Sequence, residues 1–375
     1  MPSPQLLRSA ELRADTAARM VTTAFGGRLF GIPGTHLAAV RAPQPLPRGS
    51  SPWHYWWQAH YADLLVDTGL RNRAPLADMD PIDLADTLVR TIRLRNYGRW
   101  TNHFYDDMAW LVLAALRLDS LPGPPRGPKP RHQRLRDTLG PALRSAHTPE
   151  FGGGLYWNRS RNFKNTPATA PAALYFARSG DRERAQNLID WLGKTLLDPD
   201  TGLYFDGVRR SGGQVSIETA LYTYNQGPVL GALLELGGAA NLERAADLVR
   251  ATAAHLAQDD GGGPVLRTHN GGDGGLFTGI LCRYLAEAAA APTLDKSARQ
   301  LAGSLVTTLA ERLWQSRATR NALPVFSPDP RTSADESYPP GGGVELSTQL
   351  QAWMVLEAAV RVVRVEGVGE VREEI

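Results

Sequence analysis

The apolar positions of the chain fall into two kinds of helical segment. One kind is apolar nearly all round: "MAWLVLAALRL", "GPVLGALLEL", "GLFTGILCRYLAEAAA" and "LSTQLQAWMVLEAAV". A helix with no polar face has to be covered on every side. The other kind is one-sided. In "DRERAQNLIDWLGKTLL" the apolar residues Ala185, Leu188, Ile189, Leu192 and Leu196 recur at helical spacing with charges between them, and "NLERAADLVRATAAHLAQ" does the same through Leu242, Ala245, Val249 and Leu256. Such segments belong on an outer surface. About twelve segments start near residues 7, 53, 81, 106, 131, 166, 182, 218, 241, 274, 295 and 343. The even-numbered ones are largely of the buried kind, and the odd-numbered ones are amphipathic where the pattern is clear. Six inner and outer pairs predict an all-α (α/α)6 double barrel of about twelve helices, one domain over residues 1–375. An open helical solenoid would expose apolar end faces and show a fixed sequence period, which the chain lacks.

Aromatic, amide and acidic residues gather just before the even segments, in "PWHYWWQAH", "NHFYDDMAW", "GGGLYWNRSRNFKN", "YTYNQG", "HNGGDGGLF" and "YPPGGGVELSTQ". If the inner helices run parallel, these loops emerge at one end and share one cleft. The loops feeding the outer segments, such as "LDSLPGPPRGPKPRHQ" and "ARSGDRERA", are Pro-rich or charged and belong to the opposite face or the rim. The stretch from Leu121 to Pro130 is the one candidate linker, and a Pro-rich turn between two helices accounts for it.

Composition narrows the function classes. Hydrophobic residues at 42% and charged residues at 21% are ordinary for a folded globular chain. Only four of the 41 basic residues are lysines, and the arginines are scattered singly rather than in a stripe, so no nucleic-acid partner is expected. The single cysteine, Cys282, excludes an internal disulfide and a thiolate metal cluster, and its apolar surroundings read as core. The first twenty residues hold no apolar core of signal-peptide length and no later run is long enough to span a bilayer, so the chain reads as cytoplasmic.

Aromatic rings beside amides and carboxylates suit a carbohydrate, whose C–H faces stack while its hydroxyls need donors and acceptors. Trp53, Tyr55, Trp56, Trp57, Tyr156, Trp157, Tyr222 and Tyr224 lie in the cleft loops, although a single such ring is more often packing. Asp106 and Asp107 stand at the mouth of an apolar helix. A helix cap explains one of them and leaves the other. Two adjacent carboxylates repel, and this coupling is how glycosidases separate a neutral acid from an ionised nucleophile. Neighbouring residues favour the shorter separation, about 5 Å, that a retaining mechanism needs. His103 and His269 also lie in cleft loops and are candidate acid/base groups. No HExxH, Cys/His, P-loop or G-x-S-x-G pattern occurs, so no metal or other cofactor is expected. The glycine runs, among them Gly152-Gly153-Gly154, read as places where backbone approaches a ligand or another loop.

In order, "YDDMAWLVLAALRL", "GGLYWNRSRNFKN", "GLYFDGV", "YTYNQGPVLGALLEL", "GGDGGLFTGILCRYLAE" and "LSTQLQA" resemble the successive motifs of glycoside hydrolase family 76, the α-1,6-mannanases, and "HYWWQAHYADLLVD" is similar too. The resemblance covers roughly residues 53–357. It implies an (α/α)6 barrel, endo-cleavage of α-1,6-linked mannan polysaccharide or oligosaccharide with retention of configuration, and no metal cofactor; the chain is expected to act as a monomer. It places the nucleophile at Asp106 and the general acid/base at Asp107, with Trp57, Tyr105, Trp157, Asn158, Lys164, Asn165, Tyr224, Asn225, Gln226, Asp273 and Phe277 in the cleft. The chain departs from the resemblance at Thr278, where many relatives carry a lysine, which bears on substrate contacts rather than on catalysis. Two other readings stay open: a sugar isomerase or epimerase using His103 and His269, and a glycan-binding protein without activity.

Overall fold

The structure is a computed structural model that describes residues 4–44, 52–71, 74–121, 132–259 and 261–373. Among these residues twelve long helices run in chain order: α1 (Pro4–Ala24), α2 (Tyr55–Arg71), α3 (Pro81–Arg95), α4 (Tyr105–Asp119), α5 (Gln133–Ala146), α6 (Thr166–Arg178), α7 (Arg182–Thr195), α8 (Thr223–Leu236), α9 (Ala239–Leu256), α10 (Phe277–Ala289), α11 (Lys296–Gln315) and α12 (Leu346–Glu373). Beyond Leu121, the Pro-rich stretch to Pro130 lies outside the described residues.

The even-numbered helices form a closed inner ring. Helix α2 packs on α4, α4 on α6, α6 on α8, α8 on α10 and α10 on α12, which returns to α2. Each outer helix backs one stave: α3 on α2, α5 on α4, α7 on α6, α9 on α8, α11 on α10 and α1 on α12. This is the (α/α)6 double barrel that the alternation of apolar and amphipathic segments predicts. Helix α4 buries Met108 to Ala115 without interruption, whereas α7 buries only Ala185, Leu188, Ile189, Trp191 and Leu192. Cys282 is buried in the core, as its surroundings foretold.

Helix starts follow local chemistry. Asp80 accepts from the Ile82 amide and precedes Pro81 at the first helical position of α3. Asn165 caps α6 through the Ala168 amide, and Asp295 caps α11 through Ala298. One predicted start is displaced. The segment placed near residue 218 begins at Thr223, because a three-stranded antiparallel sheet precedes it: β1 (Phe163–Asn165), β2 (Gly207–Ser211) and β3 (Gln214–Glu218). The β2–β3 turn is Gly212-Gly213, both at positive φ (57° and 84°), which a two-residue hairpin needs.

The two ends of the barrel differ. At the C-terminal end of the inner ring, Arg117 pairs with Asp63 and Asp67, Arg283 pairs with the same two carboxylates, and Arg71 reaches Glu357 at 2.8 Å. The staves α2, α4, α10 and α12 are thereby tied by buried charges. The N-terminal end is open. No helix among the described residues is long and apolar enough to cross a membrane.

Candidate active site

The open end holds a cleft of about 650 Å³. Five inner helices contribute from their first residues or the cap before them: Tyr55 and Trp56, Asp106 and Asp107, Asn165, Tyr224, and Phe277. Trp53, Asn102, His103, Trp157, Asp206, Arg209 and Asp273 complete most of the lining.

Helix α4 sets the chemistry. Its N-cap is Phe104, whose side chain cannot accept, so the first-turn amides find other partners. The Tyr105 amide donates to the Trp157 carbonyl at 2.8 Å, and the Asp107 amide donates to Asp106 Oδ1 at 2.9 Å. Trp157 Nε1 donates to Asp106 Oδ2 at 3.0 Å, so both oxygens of Asp106 are held. Asp107 is buried and accepts from Asn102 Nδ2 at 2.5 Å. Burial raises both carboxyls above their usual range. Asp106 is pushed up to about 7, against the pull of the Asp107 amide and the Trp157 indole. Asp107 is driven well up by burial and then by the charge on Asp106, with the Asn102 bond opposing.

A third carboxylate, Asp206, faces the same cleft and was missed as a site residue although it lies in the quoted "GLYFDGV". Burial pushes it up to about 6, and its charge in turn raises Asp106. Asn225 Nδ2 stands 3.5 Å from its Oδ1. On the opposite wall Trp56 and Trp57 both donate to Asp273 Oδ1, at 3.2 and 3.0 Å, and clip α2 to the loop before α10. Tyr224 and Phe277 stack at 3.9 Å with an interplanar angle of 7°, forming a flat apolar wall.

Several residues expected in the cleft stand behind it. Lys164 is fully buried, and its Nζ donates to the carbonyls of Thr148, Glu150 and Gly153, each at 2.7 Å. All three donors are used, the ammonium sits over the Tyr156 ring at 4.7 Å, and burial pushes its pKa down to about 8. It ties down the 148–153 loop and does not line the cleft. Gln226 is equally buried and bonds both backbone groups of Tyr204, together with the Tyr222 carbonyl. Trp57 is stacked on His54 at 4.3 Å and reaches the cleft only through Asp273. Tyr105, Asn158 and Asn225 are buried and support the lining from behind. Thr278 faces the barrel wall, donating to the Arg267 carbonyl at 2.8 Å. His103 is exposed in the lining. His269 is outside the lining: its Nε2 accepts from the Thr223 amide at 3.3 Å, and burial pushes it down to about 4. The Gly153-Gly154 backbone approaches Trp191 rather than a ligand; a Cβ on Gly154 would lie 2.5 Å from that ring.

Lys164→Met is expected to lower unfolding free energy by about 1–3 kcal/mol, because three carbonyls, that of Gly153 buried and those of Thr148 and Glu150 partly so, lose their donor. The KM for whatever substrate the cleft takes should change less than twofold, since the side chain does not reach the cleft. Urea unfolding beside steady-state kinetics checks this; wild-type stability with raised KM would restore Lys164 as a substrate contact.

Among the described residues no group of three or more His, Cys, Asp or Glu side chains is placed to hold a metal ion. A sequence profile for Glycosyl hydrolase family 76 matches residues 13–359. The chain belongs to glycosyl hydrolase family 76. It is a glycoside hydrolase. Among solved structures, the hydrolase is similar to the α-1,6-mannanase GH76A of Salegentibacter sp. HEL1_6, with 28% identity over 93% of this chain and 98% of that one and a TM-score of 0.79. An inactive variant of that mannanase, with two consecutive aspartates changed to asparagine and α-1,6-mannotriose bound, is 27% identical over 94% of this chain and 99% of its own, at a TM-score of 0.80. The Lin0763 protein of Listeria innocua shares the fold at 24% identity, 98% coverage of both chains and a TM-score of 0.77. No curated protein sequence matches the hydrolase.

Proposed function

We propose that the hydrolase cleaves α-1,6-mannosidic bonds within mannan chains, with retention of configuration, by double displacement at Asp106 and Asp107. The observation that carries this reading is the aspartate doublet at the mouth of α4 on the floor of the cleft. The similar mannanase loses activity when two consecutive aspartates are replaced. This chain has two such pairs, and the other begins on the exposed outer strand Ala257–Asp259.

The donors divide the roles. Asp106, with both oxygens accepting N–H groups and the positive end of the α4 dipole behind it, is the better anion and attacks the anomeric carbon. Asp107, buried beside that charge, holds a proton and delivers it to the leaving oxygen. After the glycosyl-enzyme forms, Asp107 takes a proton from water as the water oxygen attacks the anomeric carbon and breaks its bond to Asp106, which releases the sugar with its original configuration and returns Asp106 as the carboxylate. The Tyr224–Phe277 wall and the Trp157 ring offer faces for sugar C–H groups, and Asp206 and Asp273 accept from hydroxyls.

Incubation with linear α-1,6-mannan should release short oligosaccharides before free mannose, because loops from several staves frame a trough rather than a closed pocket. Chromatography of early time points checks this. Mannose alone from the start would remove the endo reading, and cleavage confined to other α-mannans would remove the linkage.

A further inference from the structure

The loop between α3 and α4, "NYGRWTN", holds an aromatic residue that nothing above employs. Both ends of the loop, Asn96 and Asn102, line the cleft. Between them Tyr97 is 87% exposed and sits at φ +56°. A tyrosine gains no packing by standing in solvent, and a residue with a Cβ pays conformational strain in the left-handed region.

The conformation is imposed by the surrounding loop. Arg93 Nε donates to the Gly98 carbonyl at 2.8 Å, and the Gly98 amide returns to the Arg93 carbonyl at 2.9 Å. Asn96 Nδ2 spans the carbonyls of Arg99 and Thr101, at 2.8 and 3.0 Å. Tyr55 Oη, on the inner helix α2, donates to the Trp100 carbonyl at 2.7 Å, and the Arg93 guanidinium lies over the Trp100 ring. The left-handed turn at Tyr97 closes the C-terminal end of α3, and what local structure leaves unexplained is a large aromatic ring held in solvent between two cleft residues. An aromatic ring beside a carbohydrate trough presents the face on which a sugar stacks.

We propose that Tyr97 is a stacking platform at an outer subsite, taking a mannose unit of the same polymer beyond those held over Asp106 and Asp107. The inference rests on the mannanase reading. It makes the effective site longer than the cleft, so the contribution of Tyr97 is felt only by substrates long enough to reach the rim.

The test compares Tyr97→Ala, Tyr97→Trp and wild type on linear α-1,6-mannan and on α-1,6-mannotriose. Tyr97→Ala should raise KM for the polymer about three- to tenfold with kcat unchanged, leave mannotriose kinetics alone, and be rescued by Tyr97→Trp. Tyr97→Asn should show the same polymer defect while its melting temperature rises by about 1–2 °C, since Asn tolerates positive φ. Unchanged polymer KM in Tyr97→Ala, or an equal loss on both substrates, overturns the platform. Failure of the mannanase reading looks different: wild type would then leave both substrates intact, and the platform would fall with it.

Discussion

Asp106→Ala is expected to reduce hydrolysis of α-1,6-mannan by at least about a hundredfold, and to do so for every mannoside whatever its leaving group. A nucleophile is needed to open the anomeric centre even when departure is easy, so an activated aryl α-mannoside should be no better a substrate for this variant. The site it leaves is shaped to be refilled. Trp157 Nε1 and the Asp107 amide, which held the two oxygens of Asp106, remain as donors facing the vacated volume. Added azide attacking from that side should give the inverted β-mannosyl azide. Nuclear magnetic resonance of the product distinguishes it from the α anomer. An α product would exchange the roles of the two aspartates, and normal cleavage by the variant would move the chemistry elsewhere.

The second large effect belongs to Asp107. Asp107→Ala should lose a comparable factor on mannan, about 10² to 10⁴, yet still form the glycosyl-enzyme from an aryl α-mannoside, because a good leaving group departs without a proton. Azide then intercepts that intermediate and gives the retained α-mannosyl azide. The pH profile carries a separate signature. Burial and the neighbouring charge on Asp106 raise the pKa of Asp107, so its protonated form persists to higher pH than that of an ordinary carboxyl. Mannan cleavage should fall as pH rises through that value, since the lost proton is the one the leaving oxygen needs. With the aryl mannoside the Asp107→Ala enzyme should lack this alkaline limb. Its persistence there would assign the acid to another group, for which Asp206, also raised by burial and lining the cleft, is a candidate.

The ring of staves was legible because burial on all sides leaves an all-apolar helix such as α4, and burial on one side leaves a striped one such as α7. The doublet was legible because two charges at the start of a buried stave have few structural uses. Lys164 was misread for a geometric reason. It lies on β1 between Phe163 and Asn165, which both line the cleft, and alternate residues of a strand point to opposite sides. Assigning the whole "NFKN" run to one surface ignored that alternation. The hairpin β2–β3 had a readable signal, Gly212-Gly213 between two strand-like runs, and overlooking it placed the start of α8 too early. Asp206 ends the turn that leads into β2, a lone carboxylate beside a glycine, and only the pairing of β1 with β2 brings it to the cleft.

The charged base of the barrel bears on how a polymer can meet the enzyme. Arg71, Arg117 and Arg283, locked to Asp63, Asp67 and Glu357, tie four staves together at the end opposite the cleft and line a separate hollow of about 450 Å³ there, so the anchoring charges and the aspartate doublet sit in different cavities. On the endo reading proposed above, a glycan lies across the open mouth like a rope over the rim of a cup. Under that reading any bond along its length would settle over Asp106 and Asp107 without the enzyme first finding an end, and the two fragments would leave sideways.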